Sequence, residues 1–259
     1  MRVLMLAAGV GSRLYGDDTR QPPKALMRFG AQTLLERHIR FLRELDVDGL
    51  TLVVGYRKKD LVAEALRHAP EDYLEFIENP MYRGGPIISL WSARETLRSG
   101  EPIIFMDADL LYARPLLERI AMSRHANALA FDEHVDEGED PVRICLRDGH
   151  PVEFSKQIIG QFDRVGEWPG VLRLSPETAA LVADACDAYI DAGRLDVTYE
   201  HAIRDVMIGH APGWFAIEDV SDVPWIEIDF PEDLERAERE IMPLIEGGDV
   251  VPFDQNTSG

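Results

Sequence analysis

The chain has 259 residues, 46% of them hydrophobic, enough for the core of one large α/β domain or two small ones. Its 47 acidic residues outnumber 27 basic ones, a formal net charge of −20, and such a surface repels a polyanionic backbone and argues against nucleic-acid binding. No run of ~18 apolar residues occurs, so no membrane-spanning helix is expected. The N-terminus enters a strand without a basic n-region or cleavage site, so no signal peptide is expected. Cys145 and Cys186 are far apart and flanked by apolar residues. They read as buried free thiols of a reducing cytoplasm, and no Cys/His spacing suggests zinc.

Val3 to Leu6 predicts a first β-strand. It runs into Leu6-Ala7-Ala8-Gly9-Val10-Gly11-Ser12-Arg13, a polar loop, and Pro22-Pro23-Lys24-Ala25-Leu26. Gly9 and Gly11 permit φ > 0 and leave backbone N–H groups uncovered, a nest for phosphate. Ser12 adds a hydroxyl and Arg13 a planar cationic fork. Pro22 and Pro23 stiffen the chain so that Lys24 can be aimed at the nest. Ala7 and Ala8 leave room for a flat base against the backbone. The stretch is not a P-loop, because no Gly-Lys-Ser/Thr follows. It is not a dinucleotide fingerprint either, because Leu14 holds the third glycine position.

Thr33 is placed to cap a helix from Leu34 to about Leu45. His38 on its apolar face reads as a satisfied, half-buried histidine. Leu50 to Val54 is a strand, Lys59 to His68 a helix, and Leu74 to Ile77 a strand closed by Asn79-Pro80. The Gly84-Gly85-Pro86 turn opens a helix through Ser89-Leu90-Trp91 to Leu97. Pro102 to Met106 is a strand ending in Asp107-Ala108-Asp109. Leu129 to Phe131 is a further strand, followed by an acidic loop from His134 to Asp140. Val142 to Leu146 and Pro151 to Phe154 form a hairpin around Asp148-Gly149. Gly170 to Leu174 is a strand and Pro176 to about Ala192 a helix. Thr198 is placed to cap a helix from Tyr199 to Ile208. Trp214 to Glu218 and Trp225 to Ile228 are short strands, and Pro231 opens a last helix through Ile241.

This alternation predicts an α/β fold, a doubly wound and mostly parallel Rossmann-like sheet with helices on both faces. No linker or repeat breaks it. The expectation is one domain over 1–246, a nucleotide-binding half (1–131) and a smaller mixed acceptor-binding half (132–246), with a frayed tail over 247–259. Ligands of such sheets bind beyond the carboxyl ends of the strands, where the glycine loop and Asp107/Asp109 both fall. Hard carboxylate oxygens there suit Mg²⁺. Asp229 ends a strand just before a helix, and taken alone it reads as an N-cap, the commoner role there.

Taken together, Leu-Ala-Ala-Gly-x-Gly-Ser-Arg and the later Pro-Lys resemble the signature of the GT-A-like nucleotidyltransferases that make nucleotide-diphosphate sugars and alcohols. Within that family the chain is most similar to the phosphocholine and aminoethylphosphonate cytidylyltransferase branch. The likeness rests on Asn79-Pro80-Met81-Tyr82, Ser89-Leu90-Trp91, Asp107-Ala108-Asp109, Phe154-Ser155-Lys156, the Glu167 to Leu174 segment and Tyr199-Glu200. One departure is Gly85-Pro86, where the branch often carries Asn-Asn. The resemblance implies that Leu6, Ala7, Ala8, Gly9, Gly11, Ser12, Ser89 and Asp107 hold the nucleotide, and that Asp109 and Asp229 share Mg²⁺. It implies attack of an acceptor phosphate or phosphonate oxygen on the α-phosphorus of CTP, or of another NTP, with loss of pyrophosphate. Lys24 and Arg13 neutralise the charge that develops, and no general base is needed.

The acceptor half carries Asp132, Lys156, Trp168, Tyr199 and Glu200. An aromatic and acidic cage suits an ammonium head, with Lys156 at the phosphate end. Trp214 and Trp225, on apolar strands, read as core. The expected partners are therefore CTP and a small phosphorylated acceptor, phosphocholine first; a homo-oligomer is compatible with the sequence. A sugar-1-phosphate or inositol-phosphate nucleotidyltransferase would share the chemistry. An inactive nucleotide-sensing domain should have lost Lys24, Asp109 or Asp229. A glycosyltransferase would have no use for the Arg13 to Lys24 signature.

Overall fold

A computed structural model describes residues 1–16, 18, 20–136 and 141–248. Seven strands form the central sheet, in the order Ala216–Asp219, Ala128–Phe131, Val171–Leu174, Ile103–Asp107, Arg2–Ala7, Gly49–Val54, Leu74–Glu78. Val171–Leu174 runs antiparallel to both its neighbours; the other pairings are parallel. Strands from both halves of the chain thus share one mostly parallel sheet, as the alternation predicts.

Side chains of the first strand alternate between two cores. Val3 and Met5 face one, with Leu34, Ile39, Leu61 and Leu116 from helices Leu34–Glu44, Lys58–His68 and Pro115–Ala121. Leu4 faces the other, with Ile87, Val182 and Ile203 from Pro86–Ser92, Pro176–Asp191 and Glu200–Ile208. Covered on both faces, Gly49–Val54 is buried throughout, which is why it reads as a continuous apolar run. No helix among the described residues is long and apolar enough to cross a membrane. Cys145 and Cys186 are buried and free.

Thr33 caps its helix as expected: its Oγ1 accepts from Glu36 N at 3.0 Å. Asp148 and Gly149 both take positive φ at the hairpin turn, also as expected. Elsewhere the structure departs from the reading. The helix opened by Pro86 stops at Ser92 and resumes over Arg94–Leu97. Ala93 N bonds Leu90 O, three residues back, and Ser92 Oγ donates to Ile88 O at 2.7 Å, a side-chain bond that bends helices. Thr198 does not cap the next helix; Tyr199 is its N-cap residue, and Thr198 Oγ1 pairs with His201 Nδ1. The last helix runs from Pro231 through a π-turn at Ala237–Ile241 to Gly248, so the tail expected over 247–259 begins inside a helix and its remainder lies outside the described residues. The acidic loop is described only to Asp136.

Four short strands among the described residues escape the sequence pattern: Arg28–Phe29 and Gln32–Thr33, which pair with each other, and two longer ones. Leu110–Tyr112 pairs with Trp225–Glu227, and Arg164–Glu167 pairs with Arg143–Arg147, which in turn pairs with His150–Ser155. All four are too short for periodicity to register.

Gly85 has φ 140°, and a Cβ there would lie 1.9 Å from the carbonyl oxygen of Leu195. Here the Pro86 helix docks on the loop before Tyr199, with Ile87 N donating to Val197 O. Gly85→Ala is expected to lower stability by about 2–3 kcal/mol, a Tm fall of roughly 5–10 °C in calorimetry. An unchanged Tm would mean that the docking is not tight.

Candidate active site

The parallel register brings the carboxyl ends of neighbouring strands level. Leu6 pairs with Asp107 and Ala7 with Val54. Ala108 N donates to Leu6 O at 3.2 Å and Tyr56 N to Ala8 O at 3.0 Å. A cleft of about 530 Å³ opens above these ends. Leu6, Ala7, Ala8, Gly9, Gly11, Ser12, Arg13, Lys24, Ser89, Asp107, Asp109, Lys156, Trp168, Tyr199, Glu200 and Asp229 all line it. Of the residues singled out in the sequence, only Asp132 lies elsewhere.

The two glycines of the loop differ. Gly11 takes φ 68°, left-handed, and opens the short helix Ser12–Tyr15, whose Leu14 and Tyr15 N–H groups return to Gly11 O. Gly9 does not take positive φ, contrary to expectation, and a Cβ there would meet nothing within 4 Å. Backbone geometry thus does not require a glycine at position 9, which lines the cleft.

Lys24 reaches into a group of carboxylates. Its Nζ lies 3.0 Å from Asp109 Oδ2 and 2.5 Å from Asp229 Oδ1. An Arg13 guanidinium nitrogen lies 2.8 Å from Asp229 Oδ2. Burial would lower the Lys24 ammonium pKa, but Asp109 and Asp229 more than offset this and raise it. Asp229 is not the helix cap. Asp233 reaches back instead: its Oδ2 accepts from Asp229 N at 2.9 Å and Phe230 N at 2.7 Å. The Asp229 carboxylate is thereby left to face the cleft.

Glu227 joins this group, and the sequence reading missed it. Carboxylate oxygens of Asp109, Glu227 and Asp229 all lie within 4.8 Å of one another. The signal was strand alternation, since Glu227 is two residues before Asp229 and shares its side. Burial, then Asp229 and Asp109, push the Glu227 carboxyl well above the usual range. Burial, then Asp109, do the same to Asp107. An all-oxygen, crowded carboxylate set of this kind fits a hard divalent cation and not a soft one.

A buried support holds the turn that carries Asp109. His38 Nε2 lies 3.2 Å from Ala108 O and its Nδ1 lies 3.1 Å from the Tyr112 hydroxyl. Burial drops the His38 pKa to about 4, so the ring is neutral at physiological pH. His38 is thus satisfied, as expected, though fully rather than half buried. Ile228 N donates to Asp109 O at 3.1 Å and ties the two metal-candidate strands together.

On the opposite wall, Asn79 Nδ2 donates to Ser89 Oγ at 3.0 Å while Asn79 Oδ1 accepts from Met81 N. Trp168 is buried, its Nε1 donating to Val171 O at 3.0 Å, with its ring among Phe105, Phe154 and Tyr199. The Tyr199 hydroxyl donates to Asp107 Oδ2. These two rings are a packed wall with committed polar atoms, not an open cage. Glu200 Oε2 is buried without a partner among the described residues. Trp214 packs on the core as expected, its Nε1 donating to Thr178 Oγ1.

Asp132 faces a second cavity of about 660 Å³ that shares Glu167, Glu227 and Asp229 with the cleft. Asp132 Oδ2 accepts from Trp225 Nε1 at 2.7 Å, and its Oδ1 accepts from His134 N at 2.9 Å. Trp225 packs on the core as expected and also lines this cavity.

The chain matches the MobA-like NTP transferase domain over residues 3–180. It is 26% identical over 258 residues to a CMP-5'-(3-aminopropyl)phosphonate synthase of Streptomyces rubellomurinus, covering 94% of this chain and 39% of that protein. The chain spans about half the length, or less, of the first curated relatives it matches. In fold it is similar to the inositol-1-phosphate CTP transferase of T. maritima, with a TM-score of 0.75 at 22% identity over 95% of this chain and 96% of that one. It is similar also to the CTP:phosphocholine cytidylyltransferase of Streptococcus pneumoniae, with a TM-score of 0.71 at 21% identity over 92% and 97%. The matched domain carries the glycine loop, Lys24 and Asp109 in one frame, and the chain belongs to the MobA-like NTP transferase family of nucleotidyltransferases.

Proposed function

We propose that this chain transfers CMP from CTP to a small acceptor bearing a phosphate or phosphonate and an amine, releasing pyrophosphate. The observation that carries the reading is Lys24 held against Asp109 and Asp229 at the mouth of the glycine loop. The names of the relative and of both structural neighbours refer to cytidine nucleotides, which supports CTP as donor. Two of the three names carry an acceptor with a nitrogen head, an aminopropylphosphonate and a phosphocholine. A polyol acceptor, as in the third, is the competing reading.

An acceptor oxygen forms the new bond to the α-phosphorus, and the bond from that phosphorus to the pyrophosphate oxygen breaks. Phosphoryl-group chemistry of this kind is driven by positioning and charge. The Gly9 to Ser12 backbone cradles phosphate, Arg13 steadies the departing pyrophosphate, and Lys24 turns from the carboxylates to the α-phosphate. Asp109 and Asp229, with Glu227 beside them, would hold Mg²⁺. Bound there, the ion supplies positive charge to the phosphate oxygens. The attacking oxygen is already anionic, so no residue is assigned as general base.

Gly9→Ala is expected to leave Tm within about 1 °C, because its Cβ meets no protein atom, yet to raise the KM for CTP about tenfold or more. Equal KM values in the two proteins would remove the nucleotide from that spot.

Lys24→Ala is expected to lower kcat by about 10²–10³. The same variant should bind Mn²⁺ about tenfold more tightly without nucleotide, because the ammonium and the ion compete for the same carboxylates. Electron paramagnetic resonance titration of free Mn²⁺ measures the second effect, and identical affinities would break the link between Lys24 and the metal.

Asp109→Asn and Asp229→Asn should each shift the Mg²⁺ concentration for half-maximal activity upward, by about tenfold or more. A Mg²⁺ titration of Asp229→Asn that overlays the wild type would take Asp229 out of the metal site.

A further inference from the structure

The second cavity adjoins the cleft at Glu167, Glu227 and Asp229, which line both. The two spaces differ in charge. Arg13, Lys24 and Lys156 all line the cleft and none lines the cavity. Arg236 is the one lysine or arginine on the cavity wall among the described residues, and it lies 2.7 Å from Asp136 Oδ2. Asp132, Asp136, Glu167 and Glu227 stand on the same wall. A molecule spanning the two would therefore have a fixed polarity, its anionic end in the cleft and its cationic end in the cavity.

We propose that this cavity seats the ammonium end of the acceptor against Glu167 and the Trp225 face, and that it prefers a primary ammonium to a quaternary one. The inference rests on the reaction proposed above. Asp132 fixes Trp225 by accepting its indole N–H, so the ring presents a constant apolar surface. Glu167 Oε2 accepts from Asp136 N at 2.8 Å, while Oε1 has no donor among the described residues. Burial pushes the Glu167 carboxyl up to about 7, with Asp136 and Asp132 adding to the rise and Arg143 offsetting part of it. A primary ammonium brings N–H donors that such an oxygen can accept. A trimethylammonium has none and depends on aromatic faces. The aromatic rings on this wall are Trp225 and Phe230, and the Phe230 face already carries the Arg13 guanidinium at 5.5 Å. The wall thus offers free carboxylate lone pairs and too few free rings for a cage.

The test measures kcat/KM with CTP and Mg²⁺ for 2-aminoethylphosphonate, ethylphosphonate and phosphocholine. Wild type is expected to favour the amine over ethylphosphonate about tenfold or more, and over phosphocholine as well. Glu167→Gln should bring the amine-to-ethylphosphonate ratio close to unity, and Glu167→Asp, which keeps the charge, should restore part of it. A ratio unchanged in folded Glu167→Gln, or a preference for phosphocholine, overturns the seat while leaving CMP transfer in place. If no acceptor is turned over, calorimetric titration of the first two compounds decides. Binding that needs both the amine and Glu167 keeps the seat and sinks the reaction; equal binding of both compounds removes the seat.

Discussion

The site depends on one ionic contact, Lys24 between Asp109 and Asp229. Its members come from the first loop, the middle of the sheet and the approach to the last helix, so it closes the chain on itself. The three side chains are only 12%, 22% and 11% exposed. Removing one partner of such a buried pair leaves an uncompensated charge, typically a loss of about 3–5 kcal/mol. Asp107 and Glu227 crowd the same place, and burial first, then the neighbouring carboxylates, push both carboxyls well above the usual range. The cluster needs a cation in every state. In the reaction proposed above, a Lys24 that turned to a phosphate would leave these carboxylates to Arg13 and to a metal ion, which would link the arrival of nucleotide and metal.

Around that contact, hydrogen bonds hold the backbone that carries the carboxylates. A buried, uncharged His38 holds Ala108, the Ile228 amide holds Asp109, and Asp233 takes over the capping of the Pro231 helix. Each of these frees a carboxylate from structural duty. The cost of a hydrogen bond left unmade in such a place, about 1–3 kcal/mol, is large enough to hold these groups in position.

The parts of this arrangement that were legible in the sequence are local ones. The glycine loop, Lys24 after two prolines and Asp109 after an apolar strand each announce themselves within a dozen residues. So do the parallel sheet and the Thr33 cap. What was not legible depends on pairs far apart in the chain. Asp132 was assigned to the acceptor site from composition, but its position follows from a bond to Trp225, ninety-three residues on. Trp168 and Tyr199 were assigned to an open cage, yet Phe105 and Asp107 from a distant strand end occupy them. Glu227 could have been found, because alternation along a short strand places it beside Asp229.

Gly85 joins the two halves of the problem. The cytidylyltransferase branch that the chain resembles often has asparagine in this segment, and the sequence alone presents the glycine as a loss. The backbone supplies a different reason: Leu195 O fills the space a side chain would take. The loop so held leads directly into Thr198, Tyr199 and Glu200, all on the cleft wall. The segment that ends near Ser89 and the segment that begins the acceptor wall are thus packed backbone to backbone. A shift in one must move the other, since packed interiors transmit displacement instead of absorbing it. Direct backbone contact between the Pro86 helix and the loop before Tyr199 thus ties two sides of the cleft together.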